Sequence, residues 1–154
     1  MSRRGTIKMT PEEVQAFLAE EKTLTCATNG RDGFPHLMPR WFVVRDDRIW
    51  AWTYGKAQKT KNLERDPRAT LQIEAGLAYE ELRGVMLRCD VVLHTDGETV
   101  EGIAMDLVDR YRGPGPEFDP VRDAFRTQAP KRVGLEFVER DRVTWDHRKL
   151  GGAY

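Results

Sequence analysis

Serine is almost missing from this chain: of 154 residues, only Ser2 is one. There is no Gly-x-Ser-x-Gly turn, so the sequence offers no nucleophile elbow and no convincing catalytic triad. Histidine is nearly as scarce, and His36, His94 and His147 fall in no ligand-spacing motif, which leaves zinc chemistry without a signature. The two cysteines, Cys26 and Cys89, each lie inside an apolar strand-like run and are expected to be buried, reduced thiols rather than a disulfide framework. No apolar run approaches the length of a membrane span. The basic start at residues 1–5 is followed by no apolar signal core, so a cytoplasmic location is the simplest expectation. Net charge is absent as well: Lys plus Arg and Asp plus Glu are both 25, which disfavours wholesale nucleic-acid or membrane binding. A single-strand nucleic-acid binder built on Trp50, Trp52 and the neighbouring lysines would need a positive excess that the chain lacks.

What is present suffices for one domain over residues 1–154, with a core large enough to need no metal or disulfide. Thr10-Pro11-Glu12-Glu13 predicts a capped helix to about Glu21 that buries Val14, Phe17 and Leu18. A strand over 24–29, a hairpin turn at Asn29-Gly30-Arg31-Asp32-Gly33 and a return strand over 34–44 follow. Pro39 has no N–H for a ladder, so the return strand is expected at an edge or bulge. After a turn at Asp46-Asp47, a strand over 48–54 carries Trp50, Trp52 and Tyr54 at period two, and such a stripe reads as barrel core. Strands over 68–75 and 84–93 come next, then a helix whose capping-box spacing starts at Thr95, then a short helix from Asp119-Pro120 to about Gln128. Two closing strands are expected over 131–137 and 141–146. Short antiparallel strands joined by tight turns, with a few helices, point to a small barrel.

Residues 50–71 single themselves out by charge. Lys56, Lys59 and Lys61 crowd the start of a short predicted helix while Glu64 and Asp66 sit near its end, the reverse of what a helix dipole prefers. Each misplaced exposed charge costs roughly 0.3–1 kcal/mol, so the order makes sense if an anion such as a phosphate sits at the amino end, where first-turn N–H groups point outward. A solvated charged face is the other reading of the same run.

Three groups of residues then carry a resemblance. Pro35-His36-Leu37-Met38-Pro39-Arg40-Trp41-Phe42, Trp52-Thr53-Tyr54 and Lys59-Thr60-Lys61-Asn62-Leu63-Glu64-Arg65-Asp66-Pro67-Arg68 resemble the split-barrel flavin-binding superfamily of pyridoxamine 5'-phosphate oxidase. With the closing Trp145-Asp146-His147-Arg148-Lys149-Leu150, they look like its actinobacterial flavin/deazaflavin oxidoreductase branch. The resemblance implies a mainly β, α+β fold, an FMN-binding split β-barrel of antiparallel strands, and a homodimer with cofactor at the interface. It implies that Pro39, Arg40 and Trp41 lie along the ring system and that Thr53 lies near the phosphate or ribityl chain. Lys59 and Lys61 become phosphate contacts, with Lys56 and Asn62 as lesser ones. Arg40 also reads as a charged rim residue, and Trp41 also reads as core.

The oxidase itself has a serine-arginine-lysine run where this chain reads Ala57-Gln58-Lys59. Two phosphate contacts are thereby missing, which favours the deazaflavin coenzyme F420 over FMN. The implied activity is hydride transfer to or from a small unsaturated or carbonyl compound, the cofactor carrying the hydride. No catalytic side chain stands out. Tyr79 is placed at a substrate pocket by analogy of fold alone, and His147 reads either as a proton donor or as a structural tail residue. A carrier, sensor or heme-binding protein without turnover is the alternative on the same barrel.

Overall fold

The computed structural model describes residues 3–152, and Ser2 lies outside them. Seven strands form one antiparallel sheet: β1 (Leu24–Asn29), β2 (Pro35–Arg40), β3 (Val43–Arg45), β4 (Arg48–Tyr54), β5 (Arg68–Ala75), β6 (Arg83–His94) and β7 (Arg132–Asp146). Their order is β2-β1-β5-β6-β7-β4-β3. The helices are α1 (Arg3–Thr6), α2 (Pro11–Glu20), α3 (Gln58–Arg65), α4 (Gly97–Tyr111) and α5 (Asp119–Gln128). Among the described residues no helix is long and apolar enough to cross a membrane.

The two edge strands, β2 and β3, are consecutive in the chain with only Trp41 and Phe42 between them. The sheet must therefore curl until its edges meet at that corner, and the product is the α+β split barrel that the resemblance implied. The return strand expected over 34–44 is broken here, because its two halves pair with different neighbours, β1 and β4. Phe42 is wholly buried at the break, and its N–H donates to the Tyr111 hydroxyl at 2.9 Å. Pro39 does fall on an edge strand, where its missing N–H interrupts no ladder.

The opposite correction applies at the carboxyl end. One strand, β7, replaces the two expected, because a bulge lets it bend instead of stopping: Arg88 pairs with Asp141 and Cys89 with Glu139, leaving Arg140 as the extra residue. Its first half pairs with both β4 and β6, which joins the two sides of the barrel.

The barrel interior is filled by Leu24, Ile49, Ala51, Leu71, Ile73, Val85, Leu135 and Phe137, with Val14, Phe17 and Leu18 of α2 packed against them. The capping box that starts α2 is present, Thr10 and Glu13 each accepting the other's N–H at 3.2 and 2.7 Å. For α4 the cap is Asp96, one residue later than expected, its carboxylate accepting from Thr99 N–H at 2.8 Å. The aromatic stripe of β4 is not barrel core. Ile49, Ala51 and Thr53 take the inner face, while half-buried Trp50 and Trp52 pack outward beneath α4 and α5, Trp52 lying 5.1 Å from the Phe125 ring. The reason is that β4 is covered on both faces, so alternation alone does not say which face is inside. Cys26 and Cys89 are both buried and free.

Candidate functional site

The approach to α3 is rigidly tied. Gly55 N–H donates to the Lys131 carbonyl at 3.0 Å, and the Tyr54 carbonyl accepts from Ala57 N–H at 3.0 Å and from the Thr60 hydroxyl at 2.8 Å. The helix is then held onto β1 by Asn62, which is wholly buried, donates to the Thr28 hydroxyl at 3.1 Å and accepts from the Gln58 amide at 2.9 Å. Its cap residue, Ala57, has no side chain to satisfy the first turn, and that turn contains no acid. The leading N–H groups of α3 have no partner within the helix.

The three lysines do not converge. Lys56 is exposed ahead of the helix, and Lys61 stands 3.2 Å from Glu64 on the wall of a cleft of about 1030 Å³ between α3 and the β1–β2 hairpin. Lys59 does not line that cleft. It is half-buried and has no ion pair among the described residues. Burial pushes its ammonium below the usual lysine range, and the positive charges of Arg40 and Arg132 push the same way.

Arg40 sits opposite Leu24 in the β1–β2 register, on the face that also carries the buried Cys26. Its Nε and Nη1 are sealed from solvent without an acceptor, and burial lowers its pKa. Arg132 is the residue that sequence reasoning missed. It pairs with Tyr54 across β4 and β7, with its guanidinium 3.6 Å from the Tyr54 ring centre and 4.6 Å from that of Trp52. Nη2 donates to Gln128 at 2.7 Å, whereas Nε is buried without an acceptor. Nothing local in the sequence marks this residue, because only the strand register brings it to Tyr54. Other arginines of the chain have carboxylate partners, such as Arg68 with Asp66 at 2.7 Å and Arg88 with Asp141 at 2.5 Å.

The remaining candidates occupy distinct places. Pro39 is exposed on the edge strand, and Trp41 is 39% exposed with one face stacked on Tyr111 at 4.2 Å. Thr53 is buried on the inner face of β4. Tyr79 and His147 come together, with ring centres 4.5 Å apart and His147 Nδ1 2.8 Å from the Tyr79 carbonyl. They lie beyond the far end of β5 from α3, a separation of about 25 Å at the rise of a strand. The thiols are chemically quiet: burial raises Cys26, and burial together with Glu139 pushes Cys89 up to about 12. Among the described residues no three His, Cys, Asp or Glu side chains gather as a metal site.

A curled antiparallel sheet whose edges meet at a two-residue corner, with an uncapped helix and unpaired cations beside it, places the molecule among the split-barrel proteins. A family profile described as pyridoxamine 5'-phosphate oxidase matches residues 10–140, and the chain belongs to that family. Its structure is similar to the crystal structure of a conserved hypothetical protein from Mycobacterium tuberculosis, with a TM-score of 0.88 and 38% identity, over 98% of this chain and 93% of that one. It is also similar to an F420 reductase (TM-score 0.67, 22% identity, 86% of this chain and 98% of that one). A third is the heme storage protein HutZ from Vibrio cholerae (TM-score 0.68, 16% identity, 87% and 92%). The likeness to the last two is one of fold. A comparison with curated protein sequences finds no match.

Proposed function

We propose that the chain is an oxidoreductase that holds a phosphate-bearing cofactor, coenzyme F420 in preference to FMN, and serves hydride transfer to or from a small unsaturated or carbonyl compound. The observation that carries this reading is Lys59: half-buried, without an ion pair, and set at the uncapped start of α3 beside the acceptor-free guanidinium of Arg40. Cations brought together out of water and left uncompensated are costly unless an anion joins them. The residues present therefore fit the phosphate of such a cofactor, with Lys59 and Arg40 as the cations that would hold it and Lys56 and Lys61 farther off. Asn62 contributes by holding the helix, since its amide is already engaged.

When bound, the cofactor supplies the hydride. The protein would supply position: Pro39 and Trp41 at the exposed edge of β2 would lie along the ring, with Arg40 beside them toward the phosphate and Thr53 on the barrel side. In this reading the chain is a homodimer, because the apolar side chains of β2 stand exposed and because Tyr79 and His147 are too far along β5 to reach their own chain's slot. From a second copy they flank the substrate. The fold likeness to HutZ motivates a second reading, a flavin, deazaflavin or heme carrier or sensor without turnover.

Visible-spectrum titration of the purified protein with F420 and, separately, FMN tests the site. Lys59→Ala should weaken the preferred ligand by at least about tenfold if its ammonium makes a charge-assisted hydrogen bond worth about 1.5–3 kcal/mol. Unchanged affinity refutes the site. Adding reduced cofactor and an electron-poor alkene or quinone separates the two readings: cofactor oxidation no faster than without protein leaves the carrier.

A further inference from the structure

We infer that a cavity of about 460 Å³ on the flank of α2 is a ligand site of its own, and that it takes a small amphipathic acid, an apolar chain ending in a carboxylate that Arg110 holds. None of the residues lining it belongs to the slot at α3 and β2, so the inference goes beyond the cofactor reading and does not rest on it.

The cavity exists because the core does not fill the whole inner face of the sheet. Val44 pairs with Ile49, and Arg142 pairs with Leu87; both partners are core residues, so Val44 and Arg142 stand on the inner face as well. Val44 is nevertheless 41% exposed, because β3 is the last strand of the sheet. Helix α2 reaches the interior through Val14, Phe17 and Leu18. Beside that stripe, Val14, Leu18, Ala19 and Val44 form an apolar wall of the cavity. An apolar hollow of roughly 300–1,000 Å³ with a few fixed polar groups is the usual form of a small-molecule site.

Arg110 supplies the polar end and is fixed in place without any ligand. Its Nη2 donates to the Leu18 and Glu21 carbonyls at 2.6 and 2.9 Å, and its guanidinium lies 4.7 Å from the centre of the Phe42 ring. Nε is sealed from solvent without an acceptor, whereas Nη1 makes no hydrogen bond and is not sealed. The other groups on the lining are already matched. Arg142 donates from Nε and Nη2 to Glu139 at 2.6 and 2.5 Å, and Asp47 accepts from the Gln15 amide at 3.5 Å. Of the two cations on the lining, Arg110 is therefore the one without a carboxylate partner among the described residues. A single carboxylate matches it, through the charge-assisted bond that a guanidinium makes to that group. An ammonium head would meet Arg110 as a like charge.

The test titrates the full chain calorimetrically with octanoate, octan-1-ol and octylamine, each below the concentration at which it forms micelles, and maps the octanoate site by methyl NMR. Octanoate should bind at least about tenfold more tightly than the alcohol or the amine, the share of one charge-assisted hydrogen bond, and should shift the methyls of Val14, Leu18 and Val44. Ala19→Trp, which fills the cavity from an exposed position of α2, should abolish binding. Ala16→Trp, exposed on the same helix but not on the lining, should leave it unchanged, as should Lys59→Ala. Arg110→Gln should erase the preference for the acid over the alcohol, whereas loss of a merely structural arginine would weaken both alike. Octanoate binding no tighter than octan-1-ol overturns the site, as does Ala19→Trp binding like wild type while folded by circular dichroism. If Arg110→Gln does not fold, Ala19→Trp and the wild-type ratio of acid to alcohol decide. Loss of octanoate binding in Lys59→Ala puts the acid in the cofactor slot, so the site on α2 falls and the cofactor reading stands.

Discussion

The hydroxyl of Tyr111 accepts from Phe42 N–H and donates to the Lys22 carbonyl at 2.7 Å, while its ring lies under Trp41. One atom thus ties α4 to the corner where the two sheet edges meet. Tyr111→Phe keeps the ring stack and leaves the buried Phe42 amide without its acceptor, so urea unfolding should show a loss of about 1–3 kcal/mol. A loss below a few tenths would mean that the corner does not depend on this bond. Gly84 gives a second residue-level prediction. A Cβ there would run into the Trp145 ring and the Ile73 carbonyl, so Gly84→Ala should destabilise by about 1–3 kcal/mol in the same assay, and an unchanged midpoint would contradict the packing. At this scale the site was only partly legible. Lys59 was visible because its charge conflicts with the helix dipole. Arg132 was not, since it conflicts with nothing until β7 lies beside β4. Asn62 looked like a ligand contact because of its neighbours in the motif, yet its amide joins the helix to β1.

At the scale of elements, α3 and the closing turn carry the testable content. Asn62→Ala removes both side-chain bonds that dock α3 and should cost about 1–3 kcal/mol, with hydrogen exchange in residues 58–65 speeding up before that of the sheet. Equal protection in mutant and wild type would show that the helix is held otherwise. The turn at 147–150 is capped by Asp146, which accepts from Arg148 N–H at 3.1 Å and from the Arg148 guanidinium. That guanidinium, and then the backbone bond, hold the Asp146 carboxyl below its ordinary range although burial opposes them. A lowered carboxylate pKa stabilises the fold at pH values above the unfolded value near 3.9, and this contribution disappears as pH falls through the folded value. Asp146→Asn should therefore flatten the acid limb of the stability curve below about pH 4, and an unchanged limb would mean that other carboxylates dominate it. The capping box of α2 was readable because it spans four residues. The break between β2 and β3 was not, because it depends on which distant strand each half meets.

For the whole molecule, the proposed homodimer makes Leu37, 55% exposed on the edge strand, an interface residue. Leu37→Asp should halve the mass seen by light scattering and lower cofactor affinity while leaving the monomer fold intact. A wild-type protein that is monomeric at micromolar concentration would remove the second copy, and Tyr79 and His147 would then have no route to the slot.

Turn residues, helix caps and the edge position of β2 were determined by the sequence itself, for each depends on groups only a few bonds away along the chain: a missing proline N–H, a threonine beside free amides, glycines where φ is positive. The inner face of β4, the continuity of β7 and the pairing of Arg132 with Tyr54 were decided only when the sheet curled. Strand register and barrel closure set them, and these are energies of contact between segments distant in the chain, to which no local pattern is sensitive.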